Sequence, residues 1–75
     1  MINLSNAKRN RSYVISGYED FLSIKILRRL CDLGLTVGQT VKVSSKSLLK
    51  KALLIEVRGY LLSLKADIAK GVILK

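Results

Sequence analysis

Histidine is absent from the 75 residues, and every chemical reading of the chain starts there. Without imidazole there is no side chain that ordinarily titrates near neutral pH. The five Asp and Glu residues are scattered, apart from the neighbours Glu19 and Asp20. Those two stand just before an apolar stretch, where they read as a turn and a helix N-cap and not as an acid–base pair. Ser44, Ser45 and Ser47 have neither a nearby base nor the glycines of a nucleophile elbow. Gly34 and Gly38 lack the context of a phosphate-cradling loop. The sequence therefore predicts no catalysis and no cofactor site. First-row divalent metals favour imidazole and carboxylate ligands, and a net charge of +9 would repel a cation, so no metal site is expected. Cys31 is the one thiol. It could be a ligand or a redox sensor, but its place on an apolar helix arc predicts a small buried hydrophobe.

What remains is cationic chemistry. Fourteen Lys and Arg stand against five acids, which argues for an anionic neighbour: nucleic acid, an acidic lipid surface or an acidic protein face. Two clusters stand out. Lys25, Arg28 and Arg29 share a helix face, and Lys46, Lys50 and Lys51 fall at one loop. Each reads either as a solvated face or as a contact for an anion, and lysines near acidic headgroups contribute about 1 kcal/mol each. Three Tyr, one Phe and no Trp leave little for base stacking. Tyr60 reads as a hairpin packing residue.

The elements that must position these groups follow from periodicity. Ser12 to Tyr18 reads as a first strand with Tyr13 and Ile15 on one face, and Gly17 as a bend or bulge near its end. Asp20 caps a helix over Phe21 to Leu33. Leu22, Ile24, Ile26, Leu27, Leu30, Cys31 and Leu33 cover an arc of roughly 200°, twice the stripe a surface helix minimally needs. Some of Leu22, Ile26 and Leu33 are accordingly expected to remain exposed, a mark of a partner surface. Gly34 stops the helix in the left-handed region, and Leu35 folds back on its end. Gly38 suits the position of a type II turn that needs positive φ. Gln39 to Ser47 is a strand with Val41 and Val43 inward. Leu53, Ile55 and Val57 line a third, and Gly59 turns the chain into Tyr60 to Leu64. Lys65 to Ala69 makes one helical turn before a last strand, Lys70 to Leu74. Ile2 and Leu4 tether the N-terminal segment, and Asn10 takes positive φ in the turn of Lys8 to Arg11. The result is an all-β fold, one domain over residues 1–75: a small barrel of about five antiparallel strands with one short helix.

The stretch Arg29-Leu30-Cys31-Asp32-Leu33-Gly34-Leu35-Thr36-Val37-Gly38, of the form Arg-Leu-x-x-Leu-Gly-Leu-x-x-Gly, resembles the signature of the FeoA family, ferrous iron transport protein A. Leu4-Ser5, Val57-Arg58-Gly59-Tyr60 with Leu62-Ser63-Leu64, and Ala69 to Leu74 extend the likeness over nearly the whole chain. The resemblance implies an SH3-like barrel in which Arg29, Leu30, Leu33, Gly34, Leu35, Gly38 and Gly59 form the structural motif. It also implies a non-catalytic accessory role in ferrous iron uptake. The partner would be a FeoB-type membrane transporter with a cytosolic GTP-binding domain, and iron the cargo of that system, not a ligand of this chain. The contact would use Leu22, Lys25, Ile26, Arg28 and Leu33. A small basic barrel that binds RNA or DNA is the alternative. A third reading is the regulatory barrel of a metal-dependent repressor, which normally follows a DNA-binding domain that this sequence does not carry. A lone thiol suits a reducing compartment, and apolar runs of at most four residues are far too short for a transmembrane helix. The N-terminal residues are polar and basic, unlike a secretory signal. A cytoplasmic location follows, with peripheral contact to an acidic membrane surface as one use of the charge.

Overall fold

A computed structural model describes residues 1–47, 49 and 51–75. Its elements run β1 (Ile2–Asn3), β2 (Ser12–Tyr18), α1 (Ile24–Asp32), β3 (Thr40–Lys46), β4 (Ala52–Val57), β5 (Tyr60–Lys65), α2 (Ala66–Ala69) and β6 (Val72–Leu74). The strands form one antiparallel sheet in the order β1-β6-β2-β3-β4-β5. Period-two alternation sets its inner face. Tyr13 and Ile15 of β2, Val41 and Val43 of β3, and Leu53, Ile55 and Val57 of β4 are all buried.

Two register shifts bend the sheet. One lies between Ile15 and Gly17 of β2, the other between Val43 and Ser45 of β3. Each places an extra residue against its partner strand, which increases local twist and curls a short sheet around its core. The β4–β5 hairpin closes through Arg58 and Gly59, with φ of +53° and +81°. Positive φ at both central residues is the type I′ turn that matches strand twist. The sequence pointed to Gly59; that Arg58 also enters the left-handed region carries no sequence signal. Asn10 does so as expected, at φ +61°, and its N–H donates to the Val43 carbonyl at 2.8 Å.

The described residues hold six strands where the sequence suggested about five. The N-terminal tether is itself a strand, with Ile2 opposite Leu74 and Asn3 opposite Ile73. The last strand begins at Val72 instead of Lys70, because Lys70 and Gly71 are drawn into the α2 turn by hydrogen bonds from their N–H groups to the Ala66 and Ile68 carbonyls. The helix also starts later than predicted. Ser23, not Asp20, is the N-cap, and its hydroxyl accepts from the Ile26 N–H at 3.2 Å. Asp20 lies instead in a tight turn, closed by the Leu22 N–H donating to the Glu19 carbonyl. That turn swings Leu22 inward over Gly71, where an added Cβ would come within 2.6 Å of the Leu22 side chain. Leu22 and Leu27 thus occupy the N′ and N4 positions of a hydrophobic staple, both packed into the core cluster.

The exit of α1 is a Schellman motif. The Leu35 N–H donates to the Leu30 carbonyl and the Gly34 N–H to the Cys31 carbonyl, at 2.9 and 3.0 Å. Gly34 has φ +92°, the conformation this cap requires. Leu30 and Leu35, the apolar pair that accompanies the motif, are both fully buried. Thr36 to Gln39 then makes a second turn, with the Gln39 N–H donating to the Thr36 carbonyl at 3.0 Å and Gly38 at φ +92°. Among the described residues, no helix is long and apolar enough to cross a membrane.

Candidate functional site

The corner between α1 and β3 is where separate parts of the chain converge. The helix C-cap Leu33 and Leu35 just beyond it offer carbonyls at this corner, and two tyrosines from the sheet reach them. The Tyr60 hydroxyl, at the start of β5, donates to the Leu33 carbonyl. The Tyr18 hydroxyl, at the end of β2, donates to the Leu35 carbonyl at 2.6 Å. Arg58 lies across the same corner, its Nε donating to Gln39 Oε1 at 3.1 Å. A Cβ on Gly34 would sit in ordinary contact, 3.4 Å from Arg58 Cδ and 3.5 Å from the Tyr60 hydroxyl, so glycine here serves the left-handed backbone, and only a side chain larger than alanine would press on the hairpin. Burial, and then the neighbouring Cys31 thiol, push the Tyr18 phenol above its ordinary value. Tyr18 thus holds its proton, and its hydrogen bond, further into alkali.

The corner fixes the direction in which α1 presents its outer face. Lys25, Arg28 and Arg29 are exposed, with Arg29 in the last turn, where a cation is favoured by the helix dipole. Of the apolar residues expected on this surface, Ile26 and Leu33 are half-buried, whereas Leu22 is buried, with 7% of its surface exposed. Its expected exposure is corrected by the notch that Gly71 leaves for it. Cys31 is also corrected, in the opposite sense: it is exposed. The core receives the arc centred on Leu30, and at 100° per residue Cys31 lies on one edge of that arc beside Ile24. The apolar groups that face outward are therefore Phe21, Ile24 and Val37, at 63%, 69% and 60% exposure. The sequence did contain a signal for Ile24, its place on the same edge of an over-wide apolar arc as Cys31. Phe21 was hidden by the misplaced helix start.

The remaining motif residues sit within the corner or beside it. Leu30, Gly34 and Leu35 are buried, while Gly38 and Gly59 are exposed turn residues. In the second basic cluster, Lys46 is half-buried with its Nζ donating to the Ser5 carbonyl at 3.0 Å, and Lys51 is exposed. Lys50 lies outside the described residues. Among the described residues, no group of three or more His, Cys, Asp or Glu could hold a metal ion.

A family model described as FeoA domain matches residues 2–75. The chain belongs to the FeoA family. Solved structures agree in fold. A FeoA protein from Chlorobium tepidum is 26% identical with a TM-score of 0.87, covering 97% of this chain and 68% of its own. FeoA from Stenotrophomonas maltophilia in complex with zinc is 27% identical with a TM-score of 0.84, covering 100% of this chain and 91% of its own. It is described as a prokaryotic SH3 domain protein and a candidate bacterial ferrous iron transport activating factor. ScaR with bound Cd2+ is 24% identical over 34% of its length, with a TM-score of 0.84, and shares the fold. A search of curated proteins by sequence gave no match. The six-stranded sheet and its helix are thus the SH3-like FeoA fold. In physical terms the FeoA-like stretch Arg29 to Gly38 consists of a helix C-cap followed by a glycine turn.

Proposed function

We propose that this chain is a non-catalytic accessory factor of ferrous iron uptake. It docks on the cytosolic part of a FeoB-type GTP-binding transporter and works in the cytoplasm. Membership in the FeoA family supports the iron-uptake assignment. The observation that carries the docking is the outer face of α1, where exposed Phe21 and Ile24 neighbour exposed Lys25 and Arg28. An apolar centre with charged flanks is the anatomy of a protein contact. Cations at the flank steer encounter, and the apolar groups slow dissociation. Half-buried Ile26 and Leu33 lie on the other edge of the helix, across the basic face of Lys25, Arg28 and Arg29. The nucleic-acid alternative has less support, since three Tyr, one Phe and no Trp leave few rings for base stacking.

Surface-based kinetics against the purified cytosolic domain of a FeoB-type transporter test this reading. Lys25→Glu with Arg28→Glu should slow association and flatten its salt dependence. Phe21→Ala and Ile24→Ala should instead speed dissociation, by roughly tenfold or more if they are central anchors. Folded variants that all bind like the parent would remove the interface from this face.

A further inference from the structure

A second charged feature lies at the opposite end of the β4–β5 ladder from the Arg58–Gly59 turn. A groove of about 740 Å³ is lined by Ser5, Lys51, Lys65, Ala66, Asp67 and Lys70. Lys46 stands at its border, with its Nζ on the Ser5 carbonyl and two further N–H donors to spare. Three lysines, from the entry to β4, β5 and the end of α2, thus line one groove whose lining includes a single carboxylate, Asp67, with Lys46 of β3 bonded to its rim. The β3–β4 connection also carries Leu49, whose side chain is 73% exposed.

We propose that this end of the molecule docks on an acidic phospholipid surface, with the lysines around anionic headgroups and Leu49 dipping into the acyl boundary. Long lysine stems can lie along an apolar layer while their ammonium groups stay at headgroup level. An exposed leucine beside lysines combines the two attractions that hold interfacial segments, apolar insertion and anionic lipid. Nucleic acid is the poorer occupant, since no aromatic ring lines the groove to stack a base. The six residues of β4 separate Lys51 from the hairpin by roughly 20 Å at strand rise, so the lysine groove and the α1 corner are distinct surfaces. This inference does not rest on the transporter reading, and its test contains no transporter.

Vesicle co-sedimentation with the full chain decides it, using phosphatidylglycerol–phosphatidylcholine vesicles and pure phosphatidylcholine vesicles. Binding should require the anionic lipid and weaken with salt. Each lysine near such a surface strengthens binding about fivefold, so Lys51→Gln, Lys65→Gln and Lys70→Gln together should weaken it on the order of a hundredfold. Leu49→Ser should weaken binding severalfold and leave the salt dependence in place. The control, Lys25→Gln with Arg28→Gln, should stay within about twofold of the parent, with thermal melts confirming the fold of each variant. No binding to anionic vesicles, equal binding to neutral ones, or an equal loss in the helix control would overturn the proposal. So would single-stranded poly(U) RNA binding that the lysine variant abolishes while vesicle binding is unchanged.

Discussion

Gly34 and Gly38 allow two costs to be separated, because both hold φ at +92° in very different surroundings. A Cβ at Gly38 meets nothing within 4 Å, whereas at Gly34 it lies 3.4 Å from Arg58 Cδ and 3.5 Å from the Tyr60 hydroxyl. These distances are ordinary van der Waals contact, so alanine at either position carries mainly the left-handed backbone penalty of about 1–2 kcal/mol. Stiffening the unfolded chain returns about 0.4–1 kcal/mol. A net loss on the order of 1 kcal/mol is expected at both sites, which lowers Tm by about 4–8 °C for a domain of this size. Valine breaks the symmetry. Its γ-carbons have free space at Gly38 but must displace Arg58 and Tyr60 at Gly34, which adds overpacking of about 1 kcal/mol, the low end of the usual range since both side chains are at the surface. Thermal melts of the four variants should therefore give two similar alanines, and valines of which Gly34→Val melts distinctly lower. Alanine at Gly34 melting like the parent would refute the left-handed cap. Equal valines would refute the steric role of the hairpin.

Three further outcomes follow from the packing. Gly71→Ala should expel Leu22 from its notch and destabilise by about 1–3 kcal/mol, and Leu22→Ala should rescue much of that loss in a thermal-melt double-mutant cycle. Tyr18→Phe should cost about 0.5–1.5 kcal/mol for the hydrogen bond to Leu35, somewhat more if that carbonyl stays dry. The phenol of Tyr18 is raised in the folded state, so the protonated form is favoured by folding. Its stabilisation is complete below the unfolded phenol value near 10 and is lost as pH rises through the folded value. Melts followed across that range should fall more steeply for the parent than for Tyr18→Phe.

What could be read from the chain was local. Period-two alternation in Tyr13–Ile15, Val41–Val43 and Leu53–Val57 gives the inner face of the sheet without any knowledge of partners. Gly34 and Gly59 mark a helix stop and a hairpin because few other residues suit those backbones. The sequence places the helix start at Asp20, whereas the structure caps it at Ser23, a residue type that caps equally well. The start was decided by Leu22 finding the cavity over Gly71, far along the chain. The exposed face was misread for a similar reason. An apolar arc of about 200° does not say which edge the sheet will cover, and covering the Leu30 side left Ile24 and Cys31 outside. The tyrosine clamp is non-local too, since a tyrosine hydroxyl can reach any carbonyl that the fold brings to it.

That clamp bears on how the helix would work as a contact. Nine residues of helix are too few to hold their shape alone in water, so the order of α1 comes from what grips its ends. At the start these are the Ser23 cap and the buried Leu22. At the exit the Schellman bonds, Tyr18 and Tyr60 fix the chain from three sides. A face held in this way has already lost its conformational freedom before any partner arrives, so less of the association free energy goes into ordering it. Loosening the exit without touching the outer face should therefore weaken docking as well as stability. Tyr60→Phe is the variant that tests this, since it removes one hydroxyl and leaves Phe21, Ile24, Lys25 and Arg28 in place. If α1 is the docking element, Tyr60→Phe should weaken binding to the transporter domain by about two- to tenfold, the range a net hydrogen bond spans, with the loss greatest near the melting transition. A variant that melts lower yet binds like the parent well below its Tm would mean that the clamp serves stability alone.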